Sequence, residues 1–285
     1  MIRAIISDID GVIIGNKKGF NFPKPNPEVM HALKTLNQKG IPVILCTGKA
    51  SYVIENIIWE AHLDNPHIGD GGTLIFNPIK KEIIRKHTLE TKLVQEIIKA
   101  CVEKKIHISV NTLTDTFVDA SHNPEITEKR SGVMEKQILV SPSLEKHVEE
   151  LEVIKMLATV RTAEEIEEIK KIIGPYLDRI NLLWTSHPMT GDWRYALVTL
   201  KGITKLSAVR EVVDSMGLSF PEILGVGDTT GDWVFMKECG NVAVVGNTSL
   251  ALQEEAKTKG DGNYFLAPSV DENGFLEILK YFKLR

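Results

Sequence analysis

Cysteine is scarce in this chain, and its scarcity already excludes several classes of protein. Cys46, Cys101 and Cys239 are the only three in 285 residues, too few and too scattered for a disulfide framework or a zinc cluster. Their odd number leaves at least one unpaired, so a reducing, cytoplasmic setting is expected. Positive charge is not in excess either. The chain carries 34 basic and 38 acidic residues, a net charge of −4, with no basic run. Binding to a phosphate backbone needs a concentrated basic face, so nucleic acid is not an expected partner. Long apolar runs are missing too. No stretch approaches the ~20 residues of a spanning helix, and Ile2 to Ile6 is too short, and too soon followed by acids, for a secretion signal. No membrane association is expected. There is no internal repeat and no low-complexity segment. What is present is ordinary for a globular protein: 43% hydrophobic and 25% charged residues, in a chain long enough for two domains.

Short β-branched runs alternate with helical patterns, the grammar of a parallel sheet covered by helices. "AIIS" opens it as a strand; Val29, Leu33 and Leu36 then fall on one helix face, ended by Gly40. "IPVILC" is a second strand, Val53, Ile54, Ile57, Ile58 and Ala61 line a second helix, and "TLIF" follows as a strand. From about Ile83 adjacent strands ("IHISV", "TFVDA", "KQILV", "IKMLATV", "INLLWTS", "YALVTL") mix with helices over 87–105 and 164–173. Past Gly202 the first grammar returns with "EILGVG", "NVAVVG" and "YFLA", each followed by a helix. The expected fold is therefore α/β. A Rossmann-like parallel-sheet core with helices on both faces spans residues 1–83 and 201–285, interrupted by an inserted α+β domain over 84–200.

In open α/β sheets, ligands bind at the carboxyl ends of the strands. The first strand delivers Asp8 and Asp10 there, the second Thr47, Gly48 and Lys49. "EILGVG" delivers Asp228, with Asp232 opening the next helix, and Lys205 opens the helix after the insert. Each piece alone has a plain structural reading. Asp-x-Asp-Gly suits a solvated turn, and "GVGDTTGD" suits a helix cap. Together they place four acids, a hydroxyl and a lysine on one edge. Two like charges ~4 Å apart repel by about 4 kcal/mol at an effective dielectric near 20, so the acids stay protonated or a cation sits among them. Hard oxygen donors with room left for water and phosphate suit Mg²⁺, and no histidine cluster offers zinc a place.

These motifs resemble those of the haloacid dehalogenase-like hydrolase superfamily: "DIDGV" with Asp8 and Asp10, "LCTGK" with Thr47, Lys205 in "KGITKLSAV", and "GVGDTTGD" with Asp228 and Asp232. The insert lies between the second and third motifs, where the Cof-like phosphatases carry a large α/β cap, and "IGDGGTLIF" and "VVGNTSLALQEEA" are similar to that branch. The resemblance implies a cap that selects the substrate and a Mg²⁺-dependent phosphatase acting on a small phosphate ester. Asp8 would be the nucleophile, forming an aspartyl-phosphate, and Asp10 the acid and base. Asp8, the Asp10 backbone carbonyl and Asp228 would hold the metal. Asp232 would assist directly, through water, or by orienting Lys205. Thr47 and Lys205, with Gly11 and Gly48 beside them, would bind the phosphate. Three positions depart from the pattern: Val12 for Thr, Lys49 for Arg, which trades a planar fork for a point charge, and Gly231 for Asn, which removes an amide near the metal.

Two other readings use the same residues. A phosphomutase would pass the phosphoryl group to a second hydroxyl, and an inactive binding module would keep the fold without turnover. For substrate contacts within the insert, "TSHPMTGDWRY" offers His187, Asp192, Trp193 and Arg194, with Arg194 favouring an acidic substrate. The plain alternative is a hairpin turn with Trp193 packed against its neighbours. His122 and Arg130 are expected in another polar loop. Oligomeric state is not legible.

Overall fold

The computed structural model describes residues 1–185 and 190–285. His187, one of the substrate candidates, lies outside the described residues. The chain divides into two compact units, one formed by residues 1–49, 54–85 and 204–285, the other by 50–53 and 86–203.

The first unit opens with β1 (Ala4–Ser7), α1 (Pro27–Gln38), β2 (Val43–Leu45), α2 (Ser51–Ala61), β3 (His67–Gly69), β4 (Leu74–Asn77) and β5 (Glu82–Lys86). α1 starts where Asn26 caps the Glu28 N–H and Pro27 occupies the first turn. The short β3 and the largely exposed β5 were not anticipated as strands, because three residues, or a run with its apolar side chains uncovered, carry too little pattern.

The second unit adds α3 (Thr91–Glu103), β6 (His107–Asn111), β7 (Thr116–Asp119), α4 (Pro124–Met134), β8 (Leu139–Ser141), α5 (Leu144–His147), β9 (Lys155–Val160), α6 (Ala163–Ile173), β10 (Ile180–Thr185) and β11 (Arg194–Leu200). Its sheet runs in the order β10-β11-β9-β6-β7-β8, antiparallel except for the parallel β7–β8 pair. Alternation along the strands separates two faces. Ile108, Val110, Met156, Ala158, Ala196 and Val198 join α3, α5 and α6 in one apolar core. His107, Ser109, Thr159 and Tyr195 occupy the alternate positions.

One expectation is corrected here. Arg130 is not in a loop but on α4, whose Asn123 cap accepts from the Glu125 and Ile126 N–H groups. The helix lacks apolar periodicity, so the pattern missed it; Asn-Pro at its start was the signal available. Trp193 is fully buried. It packs with Ile126 and Tyr195, with the Lys129 ammonium and the Arg161 guanidinium each 4.9 Å from its ring. The packed alternative holds for this residue.

The chain re-enters the first unit with α7 (Lys205–Ser215), β12 (Ile223–Gly227), α8 (Thr230–Met236), β13 (Asn241–Val244), α9 (Leu250–Lys257), β14 (Tyr264–Leu266) and α10 (Gly274–Tyr281). Its main sheet is parallel, in the order β14-β13-β12-β1-β2. Ala4, Ile6 and Ile44 face α7, α8 and α9 through one apolar cluster. The intervening Ile5, Val43 and Leu45, also fully buried, point to the opposite face, where α1 and α10 meet. β1 lies between β2 and β12, so the order of connection reverses at β1 and β12. That reversal opens a crevice at their carboxyl ends. Among the described residues no helix is long and apolar enough to cross a membrane.

Candidate active site

β1 is wholly buried, and its ladder continues one residue further, the Asp8 N–H donating to the Val226 carbonyl at 3.0 Å. Asp8 is therefore fixed at the strand end and is 7% exposed. The chain turns at Gly11, whose φ is +74°. A Cβ there would lie 2.0 Å from Asp228 Oδ2, so glycine is required twice over, by conformation and by space. Asn247 Nδ2 donates to the Gly11 carbonyl at 2.9 Å, while its Oδ1 accepts from the Val270 N–H, which clamps the turn.

Lys205 is the first residue of α7, whose Thr204 and Ser207 form a capping box. Side chains at a helix start lean back past its N-terminus, and Lys205 Nζ reaches Asp8 Oδ1 at 3.1 Å and Asp232 Oδ1 at 2.6 Å. Asp232, fully buried, spends its other oxygen on the Thr229 N–H at 3.0 Å, the Thr229 hydroxyl at 2.7 Å and the Asp228 N–H at 3.3 Å. The capping reading of "GVGDTTGD" holds for Thr229 and Asp232. Thr229 and Asp232 build the cap, and Asp228 is left for the site. Of the three roles the resemblance offered Asp232, the one its geometry serves is orienting Lys205.

Thr47 is 1% exposed. Its N–H donates to the Ile68 carbonyl and its carbonyl accepts from the Gly71 N–H, both at 3.0 Å, and its hydroxyl accepts from the Lys49 N–H at 3.1 Å. Gly48 follows in the same turn. The Lys49 ammonium lies 2.9 Å from Asp10 Oδ1, so the lysine in place of the expected arginine keeps an ion pair with Asp10. Sequence reading named Lys49 but not its pairing with Asp10, and missed the Asn247 clamp. Asn247 follows β13, so extending the survey of strand ends by one strand would have found it.

One carboxylate oxygen from each of Asp8, Asp228 and Asp232 lies within 4.8 Å of the others. Burial, then Asp232 and Asp10, pushes the Asp8 carboxyl up to about 7. Burial, then Asp8 and Asp232, holds Asp228 well above the usual carboxylate range. For Lys205 burial opposes charge, but Asp232 and Asp8 outweigh it and hold the ammonium protonated. Asp228 Oδ1 is buried without a hydrogen-bond partner. With all three carboxyls ionised, the one ammonium would leave two negative charges, the repulsion that raises Asp8 and Asp228, while Asp10 is paired with Lys49. An orphaned carboxylate oxygen and an excess of two charges fit a divalent cation bound by hard oxygen donors. Asp8, Asp228 and Asp232 are the carboxylates that could hold it; both Asp232 oxygens also accept hydrogen bonds, whereas Asp228 Oδ1 accepts none. At Gly231 a Cβ would meet only the Thr229 hydroxyl, at 3.3 Å, so no side chain at this position donates to Asp228. Arg194, the insert candidate, is exposed at the first residue of β11 and belongs to the other unit.

Acids, lysine and threonine gathered at the switch point of a parallel sheet define a class of hydrolase. Residues 5–279 match the profile of the haloacid dehalogenase-like hydrolases, and the chain belongs to that family. A phosphoglycolate phosphatase of Methanobrevibacter smithii is 24% identical over 265 residues, covering 92% of this chain and 94% of that protein. A haloacid dehalogenase-like hydrolase from Bacteroides thetaiotaomicron has a similar structure, with a TM-score of 0.85 at 18% identity over 99% of this chain and all of that one. A phosphatase of the same superfamily and organism gives a TM-score of 0.77 at 22% identity, covering all of this chain and 96% of that one.

Proposed function

We propose that this chain is a Mg²⁺-dependent phosphatase that hydrolyses a small phosphomonoester, of a sugar or a phospho-acid, through an aspartyl-phosphate on Asp8. The observation that carries this reading is the Asp8 carboxylate, fixed at the end of β1 with Lys205 Nζ 3.1 Å away and two further carboxylates within 4.8 Å. The relative named a phosphoglycolate phosphatase supports the substrate class.

Asp8, the Asp10 carbonyl and Asp228 hold the metal. Bound there, it offsets the repulsion between an anionic nucleophile and an anionic phosphate. Lys205, steered by Asp232, and the Thr47 hydroxyl with the Gly48 backbone hold the phosphate oxygens and stabilise charge on the group in transfer. An Asp8 oxygen forms a bond to phosphorus as the ester P–O bond breaks, and the leaving alkoxide takes a proton from Asp10. Asp10, now ionised and held by Lys49, takes a proton from water. That water attacks phosphorus, the Asp8–phosphorus bond breaks, and inorganic phosphate leaves. Gly11 lets the backbone turn close against Asp228.

Substrate choice falls to the insert, with Arg194 selecting acidic phosphates. Arg194→Ala raises KM mainly for carboxylate-bearing substrates. The deciding experiment is phosphate release by the purified protein with Mg²⁺ over a panel of sugar and acid phosphates, with products checked for isomerised phosphate. Release with no isomer supports hydrolysis. Isomer formation would replace it with a mutase, and silence across the panel would sink catalysis altogether.

A further inference from the structure

The second unit buries polar groups that none of its described residues satisfies. Arg130 on α4 is 6% exposed, and its guanidinium bonds the Ser109 hydroxyl at 2.7 Å. Among the described residues no carboxylate forms an ion pair with it. His107, two residues before Ser109 on β6 and on the same face of the strand, is 4% exposed, and both of its ring nitrogens lack a partner. Directly across the sheet His107 pairs with Thr159, whose buried hydroxyl is also unpartnered. Leaving one such atom unsatisfied costs about 1–3 kcal/mol, and a buried unpaired charge several more. Three unsatisfied atoms beside an unpaired guanidinium therefore call for a partner beyond the described residues.

A cavity of about 40 Å³ adjoins His107, lined also by His122, Lys105, Ser121, Asp119 and apolar neighbours, with Lys105 and Ser121 exposed. That volume is about three times the minimum for one water, enough for the three heavy atoms of a carboxylate. The one acid in the lining is already engaged. Asp119 Oδ1 accepts from the Ser121 N–H and hydroxyl, and Oδ2 from the Leu144 N–H. Arg130 and Lys105 are left as the cationic groups around His107, with the His122 imidazole beside them.

We infer that the insert contains an oxyanion site in which Arg130, His107 and the Thr159 hydroxyl receive the carboxylate of a small organic acid through the cavity beside His122. Burial, then Arg130 and His122, holds the His107 imidazole down at about 3. The neutral ring can then donate from one nitrogen and accept at the other. The site is built on β6, β9 and α4 alone and does not rest on the phosphatase reading.

The test is thermal melting of the full-length protein titrated with glycolate, acetate and inorganic phosphate, with chloride as the ionic-strength control. Near a hundred times the dissociation constant, glycolate raises the melting temperature by about 5 °C in the wild type. The same shift appears in Asp8→Asn, which separates this site from the phosphatase centre, and is lost in Arg130→Met, which fills the same space without charge. Should the Met variant fail to fold, the His107 ring ¹⁵N resonances of the wild type, which move on glycolate addition, give the second readout. Equal shifts in wild type and Arg130→Met mean surface binding and overturn the site. No shift with unmoved His107 resonances means that the cavity holds only water, which also overturns it. A response to phosphate without one to glycolate overturns the carboxylate assignment.

Discussion

Each unit buries a histidine, and the two are treated in opposite ways. In the sheet core His67 is fully buried, but its Nδ1 accepts from the Leu45 N–H at 3.2 Å and its Nε2 lies 3.0 Å from the Leu63 carbonyl. In the insert, His107 has neither nitrogen bonded. The buried ions differ in the same sense. Asp232 in the core has both oxygens committed, whereas Arg130 in the insert holds one serine. The core satisfies the groups around Lys205 and leaves Asp228 Oδ1 unbonded within the acid cluster, with Asn65 Oδ1, Tyr264 OH and Asn273 Oδ1 the further unbonded atoms elsewhere among its described residues. The insert leaves several donors and acceptors unspent. A saturated network fixes chemistry at one point, and an unsaturated one is suited to receiving something from outside.

The largest test removes the centre of the saturated network. Asp8→Asn lowers kcat by at least about 10³-fold, while the circular-dichroism spectrum and melting curve stay native, because the change is nearly isosteric. Retained phosphate release would exclude Asp8 as the nucleophile. Chelation comes next. It abolishes turnover, and Mg²⁺ restores it better than Ca²⁺, whose longer, looser coordination fits in-line transfer poorly. Asp232→Ala strands the Lys205 ammonium and the cap of α8. It destabilises the protein by about 3–5 kcal/mol, read by denaturant unfolding, and weakens phosphate binding, and a near-neutral result would show that the network is not coupled. Lys49→Met releases Asp10, so kcat falls by about three- to tenfold with a changed pH–rate profile.

The histidines give the smallest and most direct comparison. Burial holds His67 at about 4 and His107 at about 3, both below the ordinary value of 6.5. Below that value the unfolded chain takes up protons that the folded one refuses. Stability is therefore full above pH ~6.5 and falls as pH drops towards 4 and then 3. Substituting either histidine by Asn flattens its share of that fall, measured as melting temperature against pH. The His107 share persists to the lower pH. An unchanged acid limb in both variants would show that neither ring is held neutral.

Legibility in the sequence followed the same division. Core strands stood out because β-branched runs end abruptly in Asp, Thr-Gly or Asp-Thr-Thr-Gly, and those endings form the candidate site. Asn247 escaped because a single amide after a strand carries no motif. Lys49 was noticed as a substitution, but its ion pair with Asp10 depends on two turns meeting. In the insert, α4 was taken for a loop, since "PEITEKRSGVM" has no apolar stripe. Its burial comes from Ile126 packing on Trp193 and Tyr195, contacts between residues about seventy positions apart that periodicity cannot register. Arg130 became a site residue only once that helix was in place.

By itself the sequence determined which strands end in acids, where glycine must turn the chain, and which family the chain belongs to. These are local facts, written in side-chain alternation and turn chemistry. The tertiary structure alone decided that Ser7 pairs with Val226 and that Lys205 meets Asp8 across 197 residues. It likewise decided that Asp232 serves the lysine and the cap together, and that Arg130 is buried beside His107. Such meetings depend on strand order and helix packing, which sum weak contacts over the whole chain and leave no mark on any single stretch of it.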